Sequence, residues 1–254
     1  MQVLAVAGKG GTGKTTLAVL IIRWLHANRS KAILAVDADP ANNLGDMLGV
    51  GTKETVGAIR EEMRLAPGAL PGGMTKQQFL EYKIQAGLVE TPDFDLIAMG
   101  RPEGPGCYCY ANNLLRDIMD TLGKNYTYVV IDNEAGMEHI SRRTTRDVDH
   151  LFMISTPTVT GIRTAGKISN LADELDVGIK ARHLIMNRVH GPLPGPVKAA
   201  IGERGLVEAA SIPEDEVLAG LDRVGTPLWE AAAESQAYGA LARVLNTLIP
   251  EANR

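Results

Sequence analysis

The residues with the clearest chemical purpose are Gly8-Lys9-Gly10-Gly11-Thr12-Gly13-Lys14-Thr15, followed by Thr16. They meet the phosphate-binding pattern G-x-x-x-x-G-K-[ST] at every required position. Glycines there let backbone N–H groups converge on phosphate oxygens, and the start of a helix adds positive potential. Lys14 can then reach the β and γ phosphates of a nucleotide such as ATP, and the Thr15 hydroxyl can ligate magnesium. Lys9 stands apart: the pattern leaves its position free, and the loop does not need a second lysine for its own nucleotide.

Two further sets of acids fall where such a site would use them. Ala32 to Val36 reads as a buried strand running into Asp37-Ala38-Asp39-Pro40-Ala41-Asn42-Asn43-Leu44, and Tyr128 to Ile131 as another ending at Asp132. The C-terminal ends of parallel strands are where α/β sheets bind ligands. Asp39 can instead cap the turn before Pro40, but beside a phosphate loop catalysis is the favoured reading. Asp132 has the form of the second nucleotide motif, which supports magnesium directly or through water. Gly136, just beyond it, is a flexible residue suited to sensing a γ-phosphate.

These residues need a scaffold. Met1 to Ala7 reads as a strand and Thr16 to Leu25 as a helix, the required context for the loop. Further strands are expected at 95–99, 151–155, 183–187 and 207–212, and helices at 56–63, 76–85, 112–122, 162–175 and 228–248. Residues 50 to 92, interrupted by Pro67 to Gly73, read as an excursion from the core. Strands alternating with helices predict an α/β fold, a mostly parallel sheet of about seven strands with helices on both faces. The 254 residues, 45% of them apolar and evenly spread, fit a single domain over 1–254.

The net charge of −4 argues against a broad basic face for nucleic acid. No apolar run approaches membrane-spanning length and no basic leader precedes the first strand, so a cytoplasmic protein with no membrane partner is expected. The two cysteines, Cys107 and Cys109, are too few for a disulfide scaffold.

Lys9 within its loop resembles the deviant phosphate loop of the MinD/ParA-type ATPases, a group that includes nitrogenase iron protein. Asp37 to Leu44 is similar to their first switch and Asp132 to Gly136 to their second. Asn187, with Ile212-Pro213-Glu214-Asp215 and Gly225-Thr226-Pro227-Leu228, resembles their adenine-binding segments. Within the group, Pro105-Gly106-Cys107-Tyr108-Cys109-Tyr110 and Asp132 to His139 look most like the CooC-type ATPases that support nickel insertion into carbon monoxide dehydrogenase. The resemblance implies an ATPase in which Lys9 reaches across a nucleotide-sandwich homodimer. It also implies that Asp39 orients the attacking water within the magnesium shell, and that Asn187, Pro213 and Asp215 hold the adenine. Many relatives carry a proline where this chain has Asn133-Glu134-Ala135.

The cysteine pair has several readings. Two thiolates cannot complete a tetrahedral S4 site, but two copies about a two-fold axis supply four. Two nearby cysteines can also be plain reduced thiols, whereas a vicinal disulfide strains the bond geometry. Beside an ATPase expected to dimerise, shared metal binding is favoured. Thiolates take zinc, nickel and iron–sulfur clusters alike; nickel, with carbon monoxide dehydrogenase as client, comes from the resemblance alone. Two other classes stay open. One is an iron–sulfur electron-transfer ATPase, although no cysteine lies between Asp132 and Asp147. The other is a positioning or partitioning ATPase, although Thr247 to Arg254 is not a basic amphipathic tail.

Overall fold

Apolar runs that leave neither face for water become the interior strands of one sheet. In the computed structural model, residues 3 to 7 and 33 to 36 are buried on both sides. The structure describes residues 1–29, 32–52, 54–65, 73–100, 122, 125–134, 148–174, 178–231 and 234–250. The strands are β1 Gln2–Gly8, β2 Ile33–Asp37, β3 Val89–Glu90, β4 Asp95–Ala98, β5 Tyr128–Asp132, β6 Val148–Ser155, β7 Ile179–Val189 and β8 Glu208–Pro213. The described helices are α1 Lys14–Asn28, α2 Asn43–Leu48, α3 Val56–Leu65, α4 Lys76–Gly87, α5 Val159–Glu174, α6 Gly195–Glu203, α7 Glu216–Val224, α8 Leu228–Ala231 and α9 Gln236–Leu248.

The eight strands lie in the order β3-β4-β2-β5-β1-β6-β7-β8, and every pair is parallel except β3 with β4. The expected α/β architecture is therefore the observed one, with one strand more than the seven foreseen. The addition is β3, only two residues long, which pairs Val89 with Leu96 and Glu90 with Asp95. A strand that short carries no readable alternation.

Alternate residues of each strand feed opposite faces. Leu4, Val6, Phe152, Ile154 and Ile185 pack with α1 and α9, while Ala5, Ala7, Leu151, Met153, Leu184 and Met186 pack with α5 and α6. Helix α1 is buried nearly all round: Leu17, Leu20, Ile21, Trp24 and Leu25 are each at most 1% exposed. Burial of each such side chain stabilises the fold by about 1.5–3 kcal/mol, which anchors the helix that begins at the phosphate loop.

The helix expected over 228–248 is two helices, α8 and α9. Ser235 sets the start of the second, its Oγ accepting from Tyr238 N at 3.1 Å while donating to Asp215. Helices α2, α6 and α7 were not foreseen. The helix expected over 112–122 lies outside the described residues except for Leu122. No helix among the described residues is long and apolar enough to cross a membrane.

Candidate nucleotide site

The site forms where β1, β2 and β5 end side by side. Strand β1 stops at Gly8, packed so tightly that a Cβ there would overlap the Ile154 carbonyl on β6. Gly11 and Gly13 have φ of +78° and +87°, a region that side-chain-bearing residues rarely adopt. Gly13 is the N-cap of α1 and supplies no side-chain acceptor, so the first-turn N–H groups of a well-anchored helix are left for an anion. Thr12 turns inward: its hydroxyl and its backbone N–H both donate to Lys9 O, at 2.8 and 3.3 Å, and close the loop on itself. Lys14 is 7% exposed, whereas Lys9 and Gly10 are open to solvent. Thr15 and Thr16 are half-buried on the first turn of α1.

The acids meet this loop. Asp37 and Asp132 are register partners on β2 and β5, and each is at most 1% exposed. Asp37 accepts from Asp39 N at 3.0 Å and Leu44 N at 2.9 Å, so it shapes the turn that presents Asp39. Burial pushes the Asp37 carboxyl up to about 7; the Leu44 bond opposes this and the nearby Asp132 charge adds to it. Burial likewise lifts Asp132 to about 6, against the Thr15 hydroxyl bonded to it and the charge of Lys14. Asp39 is half-buried, with Oδ1 accepting from Ala41 N at 2.8 Å.

Two interior carboxylates beside one interior lysine leave a surplus of negative charge, and Asp132 Oδ1 is buried with no hydrogen-bond partner among the described residues. That arrangement fits a divalent cation in a site rich in oxygen ligands. Thr15, with Asp132 and Asp39 near it, would hold magnesium, which when bound neutralises phosphate charge. Lys14 and the loop N–H groups would bind the phosphates, and Asp39 would accept a proton or orient a water.

A cleft of about 320 Å3 opens beside the loop, at the low end of the range for small-molecule sites. Gly13, Thr16, Asn187, Pro213, Glu214 and Asp215 all line it, so part of the segments expected to hold the base lies next to the phosphate loop, whereas Gly225, Thr226, Pro227 and Leu228 do not line this cleft. Asn187 Nδ2 donates to Thr12 O at 2.8 Å. Asp215 has its carboxylate fully engaged. Val217 N and Leu218 N reach Oδ1, while Ser235 Oγ and Ala237 N reach Oδ2, all within 3.2 Å. Burial works against its charge, but these bonds hold the carboxyl below its ordinary value. Asp215 therefore ties α7 to α9 and shapes the cleft wall.

The sequence reading missed several lining residues. Leu218 and Asp222 are one helical turn apart on α7, a spacing that was readable once that helix was placed. Arg188 follows Asn187 directly but has φ of +58°, a conformation that arginine does not announce. Cys107, Cys109 and Gly136 lie outside the described residues, and so does any site they build. Among the described residues, no group of three His, Cys, Asp or Glu converges to hold a metal.

Comparison with known proteins fits this geometry. The chain is 42% identical over 250 residues to an uncharacterized ATP-binding protein of Methanocaldococcus jannaschii, covering 98% of both. It is 28% identical over 261 residues to the carbon monoxide dehydrogenase accessory protein CooC of Rhodospirillum rubrum, covering 97% of both. Among solved structures, the MinD cell division protein of Aquifex aeolicus superposes with a TM-score of 0.70 at 20% identity, covering 100% of this chain and 99% of that one. A Pyrococcus horikoshii MinD complexed with Mg-ADP also scores 0.70, at 19% identity, covering 98% and 96%. Residues 3–228 match the model of the CobQ/CobB/MinD/ParA nucleotide binding domain. Because that match runs from β1 through the phosphate loop to the start of α8, the chain belongs to the MinD/ParA family of nucleotide-binding ATPases.

Proposed function

We propose that this ATPase is a metallochaperone: a homodimer that holds nickel between its subunits through Cys107 and Cys109 and delivers it to carbon monoxide dehydrogenase. The observation that carries the reading is the presence of Lys9 and the Cys-x-Cys pair in one chain similar to CooC along nearly its whole length. Lys9, exposed on the loop, is free to reach a partner subunit's nucleotide. ATP favours the closed dimer, closure brings four thiolates together, and hydrolysis or reopening releases the metal. Nucleotide acts on the metal site because the two dimer states bind it with different affinity.

Metal stoichiometry and oligomeric state, measured with and without ADP or ATP, test the proposal. One nickel per dimer, with nickel and nucleotide each promoting the dimer, is the expected result. Tight binding of one nickel per dimer by a chain carrying both Cys107→Ser and Cys109→Ser would remove the metal site, and nickel bound by monomers alone would remove the shared one. Zinc in the same thiolates is distinguished by its spectroscopic silence.

A second reading, a positioning ATPase, is favoured by 24% identity to the septum site-determining protein MinD of Bacillus subtilis over 75% of this chain. ATP-dependent co-sedimentation with anionic liposomes or DNA, without metal binding, would select it.

A further inference from the structure

Asn42 closes the turn that presents Asp39. Its backbone N–H donates to the Asp39 carbonyl at 3.0 Å, directly after the Ala41 N–H has taken Asp39 Oδ1. The residue then leads into α2 in a left-handed conformation, with φ of +57°, which among the described non-glycine residues only Arg188 shares. Asparagine tolerates that region better than most side chains, yet at a cost.

As the N-cap of α2, Asn42 would ordinarily turn its side chain onto the first-turn N–H groups. It makes no such bond. The buried Asp37 has already taken the Leu44 N–H, at 2.9 Å. The Asn42 carboxamide reaches across the loop instead: Nδ2 donates to Thr52 Oγ1 at 2.6 Å, while Oδ1 is buried with no hydrogen-bond partner among the described residues. An unpaired buried acceptor and a left-handed backbone are both unfavourable, and both are concentrated on this one residue. Such a conformation persists only where the surroundings fix it.

Thr52 is a firm anchor. Val50 N donates to Gly45 O at 3.0 Å, and a Cβ on Gly45 would stand 3.1 Å from Val50 O and 3.6 Å from Thr52 Oγ1, so this segment folds tightly back on α2. Beyond it, Thr55 Oγ1 accepts from Ala58 N in the first turn of α3, and Gly57 N donates to Met99 O, just past β4, at 2.8 Å. The Asp39 turn is therefore held from two sides, by the Asp37 carboxylate within the fold and by the bond from Asn42 to Thr52.

We propose that Asn42 is a positioning residue for ATP hydrolysis: through its bond to Thr52 it fixes the turn so that the Asp39 carboxylate meets the attacking water. The proposal rests on the role given to Asp39 and is independent of the cysteine pair. Holding a reacting group in place governs the chemical step more than nucleotide binding, so the bond acts on kcat.

The test uses the full chain carrying Asn42→Gly, Thr52→Val or both, read as kcat and KM for ATP, ADP affinity by calorimetry, and thermal denaturation. Glycine suits φ of +57° and valine has the shape of threonine, so each variant removes the bond and denatures close to the parent. Each single change is expected to lower kcat about tenfold at unchanged KM and ADP affinity. The double variant should be no slower than the slower single one, because the two partners of one interaction are not additive. Thr52→Ser, which returns the hydroxyl, should restore most of the turnover. Unchanged kcat in either single variant, losses that multiply in the double, a serine variant as slow as the valine one, or ADP affinity that falls in step with kcat would each overturn the positioning role. Asp39→Ala separates the two ideas. Normal turnover in that variant would remove the role of Asp39 and the positioning with it, whereas a slow Asp39→Ala beside fully active Asn42→Gly and Thr52→Val would remove the positioning alone.

Discussion

The side-chain amide of Asn187, at the end of β7, donates to the Thr12 carbonyl at 2.8 Å, fastening the wall of the base cleft to the phosphate loop. The same amide stands where a Cβ on Gly13 would have to go. The cleft wall and the phosphate loop thus share one contact. Asn187→Ala leaves a buried carbonyl without its donor, at a cost of about 1–3 kcal/mol. Calorimetric titration should show ADP affinity reduced by about tenfold or more, and an unaltered affinity would separate the two sites.

The lysines and the first-switch acid should differ in what they break. Lys14→Ala is expected to abolish hydrolysis, and Asp39→Ala to lower kcat far more than it weakens nucleotide binding. Lys9→Ala should leave ADP binding to the monomer intact while preventing ATP-dependent dimerisation, which light scattering with ATP would detect. Normal turnover in the Lys14 or Asp39 variant would remove the role assigned to it.

Gly8 is required by space. Its missing side chain makes room for the Ile154 carbonyl of β6, which cannot move without breaking the sheet. Gly8→Ala should lower stability by about 1–3 kcal/mol through overpacking. Urea denaturation measures this, and a variant as stable as the parent would mean that β1 and β6 can part at this point.

Asp215 carries a structural load at the cleft. Removing its carboxylate strands two N–H groups at the start of α7 and another at Ala237. Asp215→Ala is expected to cost about 2–4 kcal/mol, more than an ordinary helix cap, because two helices lose one shared acceptor. Asp215→Asn, which keeps one oxygen, should fall between. Thermal denaturation of the three proteins gives the order.

Far from the nucleotide, His150 Nδ1 and His183 Nε2 lie 3.0 Å apart on β6 and β7. Burial lowers His183 to about 4, with the nearby His150 adding to the effect, and burial also lowers His150. A histidine depressed in the fold contributes stability above its ordinary value, which is lost as pH falls toward the folded value. Between pH 7 and 4.5 the parent should therefore lose about 2–3 kcal/mol relative to His183→Gln. Parallel pH profiles for the two proteins would show that the pair does not titrate in this way.

Much of the site was legible because its chemistry is local. A phosphate loop places its glycines, lysine and threonine within a few residues, and the apolar runs before Asp37 and Asp132 reveal that those acids end buried strands. The dual alternation that packs Val6 on α1 and Ala7 on α5 is likewise written in short stretches of chain. Short or compact features escaped. The two-residue β3 is defined only by its pairing with β4, and the break before Gln236 depends on Ser235 meeting Asp215 across 20 residues of chain.

What the amino-acid order determined by itself is the nucleotide chemistry and the parallel sheet that bears it, since both follow from residue type at fixed spacing. Tertiary structure alone decided the rest. It made the Asp215 carboxylate a shared acceptor for α7 and α9 and brought the Asn187 amide onto the phosphate loop. These depend on which strand ends and helices meet, and a hydrogen bond or an ion pair is a matter of distance in space, which separation along the chain does not encode.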